Sequence, residues 1–304
     1  MLLLLTLVRF HWLICDFMDW ILLALGAYFL WGAGNVIEKL ISKNIKEILS
    51  FGVLLGFTET LLLLTYFLFP ITLPSISLLF LLFFAGSMRI IAFLPYVKAL
   101  VKEEVTRLVP IWNTAPVFTF IMSYFLLSES FPPNFIAGFL LLFLGSMMLS
   151  IKKKITFKDG FYLMLLSTIL YSIQIIILKY SSFSLELPSI IFWTAVGTFI
   201  TTVLILFLSK KRKRIMDDLK SIPLKLVSPF AFFSLTALVL FVYAVWLGNS
   251  AIVTVLGGFQ AVFLLVLGII FKKQLGEFVD RKTILQKAAA IILMILGLAV
   301  LYLS

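Results

Sequence analysis

The feature that most constrains this chain is a succession of apolar runs of about twenty residues, each closed by a short spacer of turn or basic residues. That length matches the ~30 Å of hydrocarbon in a bilayer. Helices are the default spanning element, because hydrocarbon offers no partner to an open backbone amide. The runs place helices near 20–38, 48–70, 75–97, 105–127, 134–151, 160–179, 187–208, 226–247, 250–271 and 283–303. Turn chemistry marks the breaks: Pro70 and Pro74, Pro132 and Pro133, Asp159-Gly160, Pro188, Pro223 and Gly248-Asn249 all fall between runs.

Composition excludes a water-soluble alternative. Of 304 residues, 62% are hydrophobic and 13% charged, against roughly 25% charge in soluble domains. Mean hydropathy is +1.17, so most segments are apolar on all sides. The net charge of +11 does not indicate a nucleic-acid partner, since the basic residues sit in spacers rather than on one folded face. The chain holds one cysteine, Cys15, and one histidine, His11, which leaves no disulfide framework and no expected metal site or cofactor.

Basic residues near helix ends are retained on the cytoplasmic side. The odd-numbered loops carry 3, 3, 4, 7 and 4 lysines and arginines, while the even-numbered loops carry only Lys179. The odd loops are therefore expected in the cytoplasm, with both ends of a ten-helix chain outside. Residues 1–17 lack the basic leader and small-residue cleavage site of a signal peptide. Met18 before Asp19-Trp20 reads as a natural start, which makes 1–17 a peripheral extension; an eleventh short helix is the alternative.

The chain also repeats itself. A shift of 145 residues lays Ala99–Phe118 on Ala244–Phe263, a shift of 140 pairs Trp31 with Tyr171 and Lys39 with Lys179, and a shift of 152 pairs Leu144-Gly145 with Leu296-Gly297. Five is odd, so two homologous five-helix halves must cross the bilayer in opposite senses. The expected fold class is all-α: a polytopic membrane protein of ten transmembrane helices in two inverted five-helix repeats, 18–152 and 153–304. Inverted repeats of this kind are a common architecture of alternating-access transporters with a midplane site.

The segment YVKALVKEEVTRLVPIWNTAPVFTFIMSYFLLSES at 96–130 resembles the core of the EamA family of the drug/metabolite transporter superfamily. The resemblance covers nearly the whole chain from Asp19 to Leu303, more clearly in the first half. It implies ten helices in two repeats, each with a proline-bearing fourth helix, a Gly-Glu pair and a glycine-containing fifth helix. Pro110 and Pro116 match the prolines, Glu129 the glutamate, and Gly138 and Gly145 the glycines. Ser128 stands where a glycine is usual, and Gly276-Glu277 is displaced by three residues. The basic loops are also opposite in phase to those of many members. The resemblance implies carriage of small metabolites or drugs without naming one, with helices 1, 3, 4, 6, 8 and 9 around a central site.

Glu59 and Arg89 lie 13 and 16 residues from the turn at Thr72 and Leu73, hence at similar depth on adjacent antiparallel helices. An unpaired ionised group there costs about 2.5–3.5 kcal/mol, so an ion pair is expected, serving either a substrate or proton site or helix packing alone. Pro110 and Pro116 flank Trp112 and Asn113 and remove two backbone donors; the matching stretch holds Gly257, Gly258 and Gln260. Such breaks at membrane depth are tolerated where they line a cavity. Trp31 and Asn35 lie one turn apart on the first helix, and Tyr171 and Gln174 hold the corresponding places on the sixth. Tyr96 shares the helical face of Arg89, and Tyr243 lies near its repeat equivalent. These aromatic and amide side chains form the candidate substrate site. Lys39 and Lys179 are expected to snorkel to headgroups, Lys210–Arg214 to fix topology, and Glu129 to cap or pack.

The expected function is secondary transport of a small polar or amphipathic metabolite across the cytoplasmic membrane, with membrane lipid as the other partner. The sequence does not fix the oligomeric state. A channel or facilitator, or a scaffold without transport, is the alternative. An enzyme is not expected. Glu103-Glu104 with Arg107 resembles the Glu-Glu-Arg element of intramembrane prenyl-protein proteases, but one residue short and without their histidines.

Overall fold

The computed structural model describes residues 19–42, 44–102, 105–150, 159–270 and 281–302. Regular elements among them are all helical. The first half holds α1 (Asp19–Ser42), α2 (Ile48–Glu59), α3 (Ile76–Lys102), α4 (Val105–Trp112), α5 (Ala115–Leu127) and α6 (Pro133–Ser150). A 3₁₀ turn Thr60–Leu64 and a helical turn Thr65–Leu68 prolong α2. The second half holds α7 (Asp159–Ser181), α8 (Leu187–Leu208), α9 (Arg212–Ser221), α10 (Leu224–Leu247), α11 (Ser250–Val255), α12 (Phe259–Ile270) and α13 (Arg281–Tyr302).

Ten runs of similar length are expected from the sequence. Within the described residues, seven helices are long and apolar enough to cross a membrane, and Pro133–Leu149, Ser250–Leu264 and Gln286–Leu301 are shorter apolar stretches of helices that run on, α6 to Ser150, α12 to Ile270 and α13 from Arg281 to Tyr302. A 3₁₀ turn at Leu256–Gly258 interrupts the path from α11 to α12. Residues 1–17, Glu103-Glu104 and Gly276-Glu277 lie outside the described residues, as do the Lys39 and Arg107 side chains.

The outer surface is apolar. Phe67, Phe80, Phe125, Leu208 and Leu224 are each at least two-thirds exposed, as expected of groups facing lipid tails rather than water. Polar side chains turn inward instead. Ser167, Thr168, Ser172 and Thr202 are fully buried, and their hydroxyls bond carbonyl oxygens of their own or a neighbouring helix, including Ser167 to Ala92 and Ser172 to Ala115. This is a multi-pass membrane protein.

Long pairings run α1 with α10, α3 with α7, α6 with α13 and α3 with α8. Glycine allows two of them. A Cβ on Gly86 would stand 2.6 Å from the Thr198 nitrogen, and one on Gly197 would stand 2.5 Å from the Phe83 oxygen, so α3 and α8 touch backbone to backbone. Between α6 and α13, Gly297 sits against Gly138 and Leu142, while Gly145 sits against Ala290 and Met294. Thr72 closes the even-loop end of the α3–α8 contact: its N–H donates to Ser189 Oγ and its oxygen accepts from Trp193 Nε1, both at 2.9 Å.

The spacer after α8, which holds the basic run Lys210–Arg214, contains a helix that the apolar runs do not indicate. Its ten-residue helix α9 buries Ile215 and Asp218, with Leu219 between them and the exterior, one face of a helix at spacings of three and four. Asp218 Oδ2 accepts from the Lys46 and Glu47 amides at 3.1 and 2.9 Å and from Ser50 Oγ at 2.7 Å, capping the start of α2. Burial pushes the Asp218 carboxyl up, but these bonds and the nearby Lys46 charge bring it below the ordinary aspartate value. Glu47 is held below the ordinary glutamate value by its bond from Lys211, helped by Arg214.

Lys179 does not snorkel. Only 8% exposed, it donates to the Gly248 oxygen at 2.7 Å and the Trp246 oxygen at 3.5 Å, satisfying carbonyls that the end of α10 leaves open.

Candidate functional site

The two helix breaks face each other across the molecule. Between α4 and α5 the chain turns at Asn113-Thr114, with Pro110 inside α4 and Pro116 in the first turn of α5. Between α11 and α12 it turns at Gly257-Gly258, where a Cβ on Gly258 would enter the Ser146 side chain. α11 packs on α5, bringing these openings together. They border a cavity of about 230 Å³ lined from α1, α2, α3, α4, α5, α6, α7, α10, α11 and α12.

Aromatic rings form a continuous wall. Tyr96 lies 5.2 Å from Trp112, Trp112 5.2 Å from Tyr171, Tyr171 6.3 Å from Phe241, Phe241 5.2 Å from Trp31 and Trp31 5.5 Å from Tyr28. Six rings from five helices thus stand in one chain of edge-to-face, tilted and stacked contacts, with Phe241 behind the five rings that line the cavity. Their sequence separation hides this. The pairing depends on how α1, α3, α4, α7 and α10 are brought together.

Charge enters from two sides. Arg89 Nε donates to Glu59 Oε1 at 2.9 Å, and the guanidinium carbon lies 5.7 Å from the Trp31 ring centre, within cation–π range. Arg89 faces both the large cavity and a second pocket of about 20 Å³ bounded by Glu59, Gln174 and Thr194. That space fits about one water, and the buried Thr194 hydroxyl has no hydrogen-bond partner among the described residues.

One turn along α1 from Trp31, with the Asn35 amide oriented to pair donors with acceptors, its nitrogen donates to Glu38 Oε2 at 3.2 Å and to the Trp31 oxygen at 3.1 Å. Its oxygen accepts from Gln260 Nε2 at 2.9 Å, linking α1 to α12. Glu38 lines the cavity and is the functional candidate that the apolar-run reading misses. Position 38 falls at the end of the first run, where a charge looks like a headgroup residue. Its spacing from Trp31 and Asn35, seven and three residues, was the available signal.

Of the sequence candidates, Trp31, Asn35, Arg89, Tyr96, Trp112, Asn113, Pro116, Tyr171, Gly257, Gly258 and Gln260 line the large cavity. Gln174 faces the small pocket instead, and Pro110 is buried within α4. Tyr243 is not on the wall; it packs 6.0 Å from Trp246. Two residues separate it from Phe241, a rotation of about 200° around a helix, so the two rings of α10 point apart. The expected ring of lining helices also lacks α2 and α6, which contribute Phe51, Leu55 and Ser146. Glu129, expected to cap or pack, accepts from the amide and hydroxyl of Ser250 at 3.2 and 2.9 Å and so caps α11.

A bundle of membrane-spanning helices surrounding an amphipathic cavity at paired helix breaks defines a polytopic membrane protein with an internal cavity. Residues 18–151 match the profile of the EamA-like transporter family. The family is one of transporters, not enzymes. A solved crystal structure of another protein superposes with a TM-score of 0.64 over 92% of this chain and 96% of its own, at 14% identity, a likeness of fold alone. No curated protein matches the sequence.

Proposed function

We propose that this protein is a secondary transporter that moves a small polar or amphipathic solute across the cytoplasmic membrane by alternating access. The observation that carries the reading is the cavity itself: aromatic walls, amides and a buried ion pair meeting at two broken helices. A mostly apolar pocket with a few convergent polar groups is the usual form of a small-molecule site.

Ten helices in two inverted repeats, 18–152 and 153–304, are part of the same proposal. The α6–α13 crossing supports it. Under the shift of 152, Gly145 becomes Gly297, and the neighbours of Gly145, Ala290 and Met294, become Gly138 and Leu142, the neighbours of Gly297. The contact pattern supports it as well, because α1 with α10 and α3 with α7 are exchanged by swapping the halves. One pair is unequal: α3 packs along α8, whereas its counterpart α10 meets α2 only thinly. That inequality is what one end-closed state of a rocking carrier requires, and the cavity extends toward the odd loops through Phe51, Phe93 and Tyr96.

Proteoliposome flux tests the carrier. Saturable uptake that a second solute competes for, lost in Trp112→Ala and Asn113→Ala proteins of normal melting temperature, is the expected result. Flux that rises linearly with concentration would instead identify a channel.

A further inference from the structure

Counting charges around the large cavity gives an unequal result. Among its described lining residues the ionisable acids and bases are Glu38 on α1 and Arg89 on α3, joined by the phenols of Tyr28, Tyr96 and Tyr171. Arg89 is already matched, at 2.9 Å, by Glu59 on α2, and its guanidinium lies on Trp31. Glu38 has no lysine or arginine nitrogen within 4.0 Å among the described residues, and its neutral partner is the Asn35 amide at 3.2 Å. The cavity therefore holds one carboxyl group beyond the Arg89–Glu59 pair, within electrostatic reach of Arg89 but bonded to no base among the described residues, beside a wall of aromatic faces.

We infer that the cavity binds a monovalent organic cation, a protonated or quaternary amine on an aromatic or apolar body, with Glu38 as its counter-ion and the Trp31–Tyr96–Trp112–Tyr171 rings around it. The physical case has two parts. A carboxylate held away from bulk water is stabilised by a partner of opposite charge, and the resident arginine is spent on Glu59. Ring faces attract cations at about 6 Å or closer, and Arg89 over Trp31 shows this wall already holding one. Anions are disfavoured by the same ledger, because the one base they would meet, Arg89, already has its charge matched by Glu59 and Glu38 adds a further negative charge.

The inference deepens the carrier proposal by naming its substrate class, and it can be tested apart from transport. Full-length protein in detergent is titrated calorimetrically with benzyltrimethylammonium, neutral N-benzylacetamide, phenylacetate and zwitterionic phenylalanine. Saturable binding of the cation, at least about tenfold tighter than the other three, is expected. Glu38→Gln should weaken it about tenfold or more while binding of N-benzylacetamide stays as it was. Acidification should weaken cation binding in the parent and not in Glu38→Gln, since a proton then competes for Glu38; the probe itself does not titrate, and a contribution from Glu59 would survive the substitution. Equal binding of the cation by both proteins overturns the inference, as does preference for phenylacetate or phenylalanine, or no cation binding below about 10 mM. Should Glu38→Gln fail to fold, the ranking of the four probes on the parent decides. Cation binding without flux into proteoliposomes sinks the carrier and leaves the site; flux of phenylacetate does the reverse.

Discussion

Arg89 and Glu59, one from each of two neighbouring helices, share a 2.9 Å ion pair in which the carboxylate is almost wholly buried and the guanidinium keeps a face toward the cavity. The Glu59 side chain is 2% exposed and the Arg89 side chain 17%. Removing one partner strands the other at membrane depth. Glu59→Gln or Arg89→Met alone should cost about 3–5 kcal/mol, and the double variant clearly less than the sum. Melting curves of the three proteins check this; additive losses would mean the pair contributes nothing as a pair.

Ser128 is the one described non-glycine residue with positive φ, at 54°, where it ends α5. A side chain there is crowded by its own backbone, which is why glycine is favoured at this position of a helix end. Ser128→Gly should raise stability by about 0.5–1 kcal/mol and Ser128→Val lower it, as read by thermal denaturation.

Gly86 and Gly52 give a matched contrast. A methyl on Gly86 meets α8 backbone, whereas one on Gly52 meets the Leu94 and Ile90 side chains at an ordinary 3.6 and 3.7 Å. Gly86→Ala should destabilise by about 1–3 kcal/mol and lose flux, and Gly52→Ala should change neither appreciably. Equal melting temperatures would show that the α3–α8 contact yields.

Asp218 ties α9 to the start of α2 through three accepted bonds, and its carboxyl is held below the ordinary range. A group whose folded value is depressed contributes stability above its unfolded value, about 3.9, and loses it as pH falls through the folded value. Asp218→Asn should cost about 1–3 kcal/mol near neutrality and remove that part of the acid-side loss, measured by melting at pH 3 to 7.

The spans and breaks were legible because each follows from a local cost: an apolar run of bilayer length, a proline without a donor, a glycine pair. The Glu59–Arg89 pair was legible for the same reason, since both charges lay at one depth beside one turn. Tyr243 and Gln174 were misplaced because a repeat offset fixes depth without fixing which way a side chain points. Lys179 was misread because a basic residue at a helix end looks the same whether it faces headgroups or open carbonyls. Helix α9 was hidden because a run of five basic residues masks the Ile215–Asp218–Leu219 face behind it.

By itself, the sequence determined that this chain lives in a membrane, roughly where its long apolar helices lie, and where backbone regularity fails. Those properties depend on residues near one another along the chain. Only the tertiary structure decided that Tyr96, Trp112, Tyr171, Phe241 and Trp31 form one wall, that Arg89 is spent on Glu59, and that Glu38 is left facing the cavity. Those depend on the rotation of each helix about its axis. In a lipid solvent, where nearly every face is apolar, hydrophobic periodicity cannot specify that rotation; the backbone contacts at Gly86 and Gly197, and at Gly138 and Gly297, do.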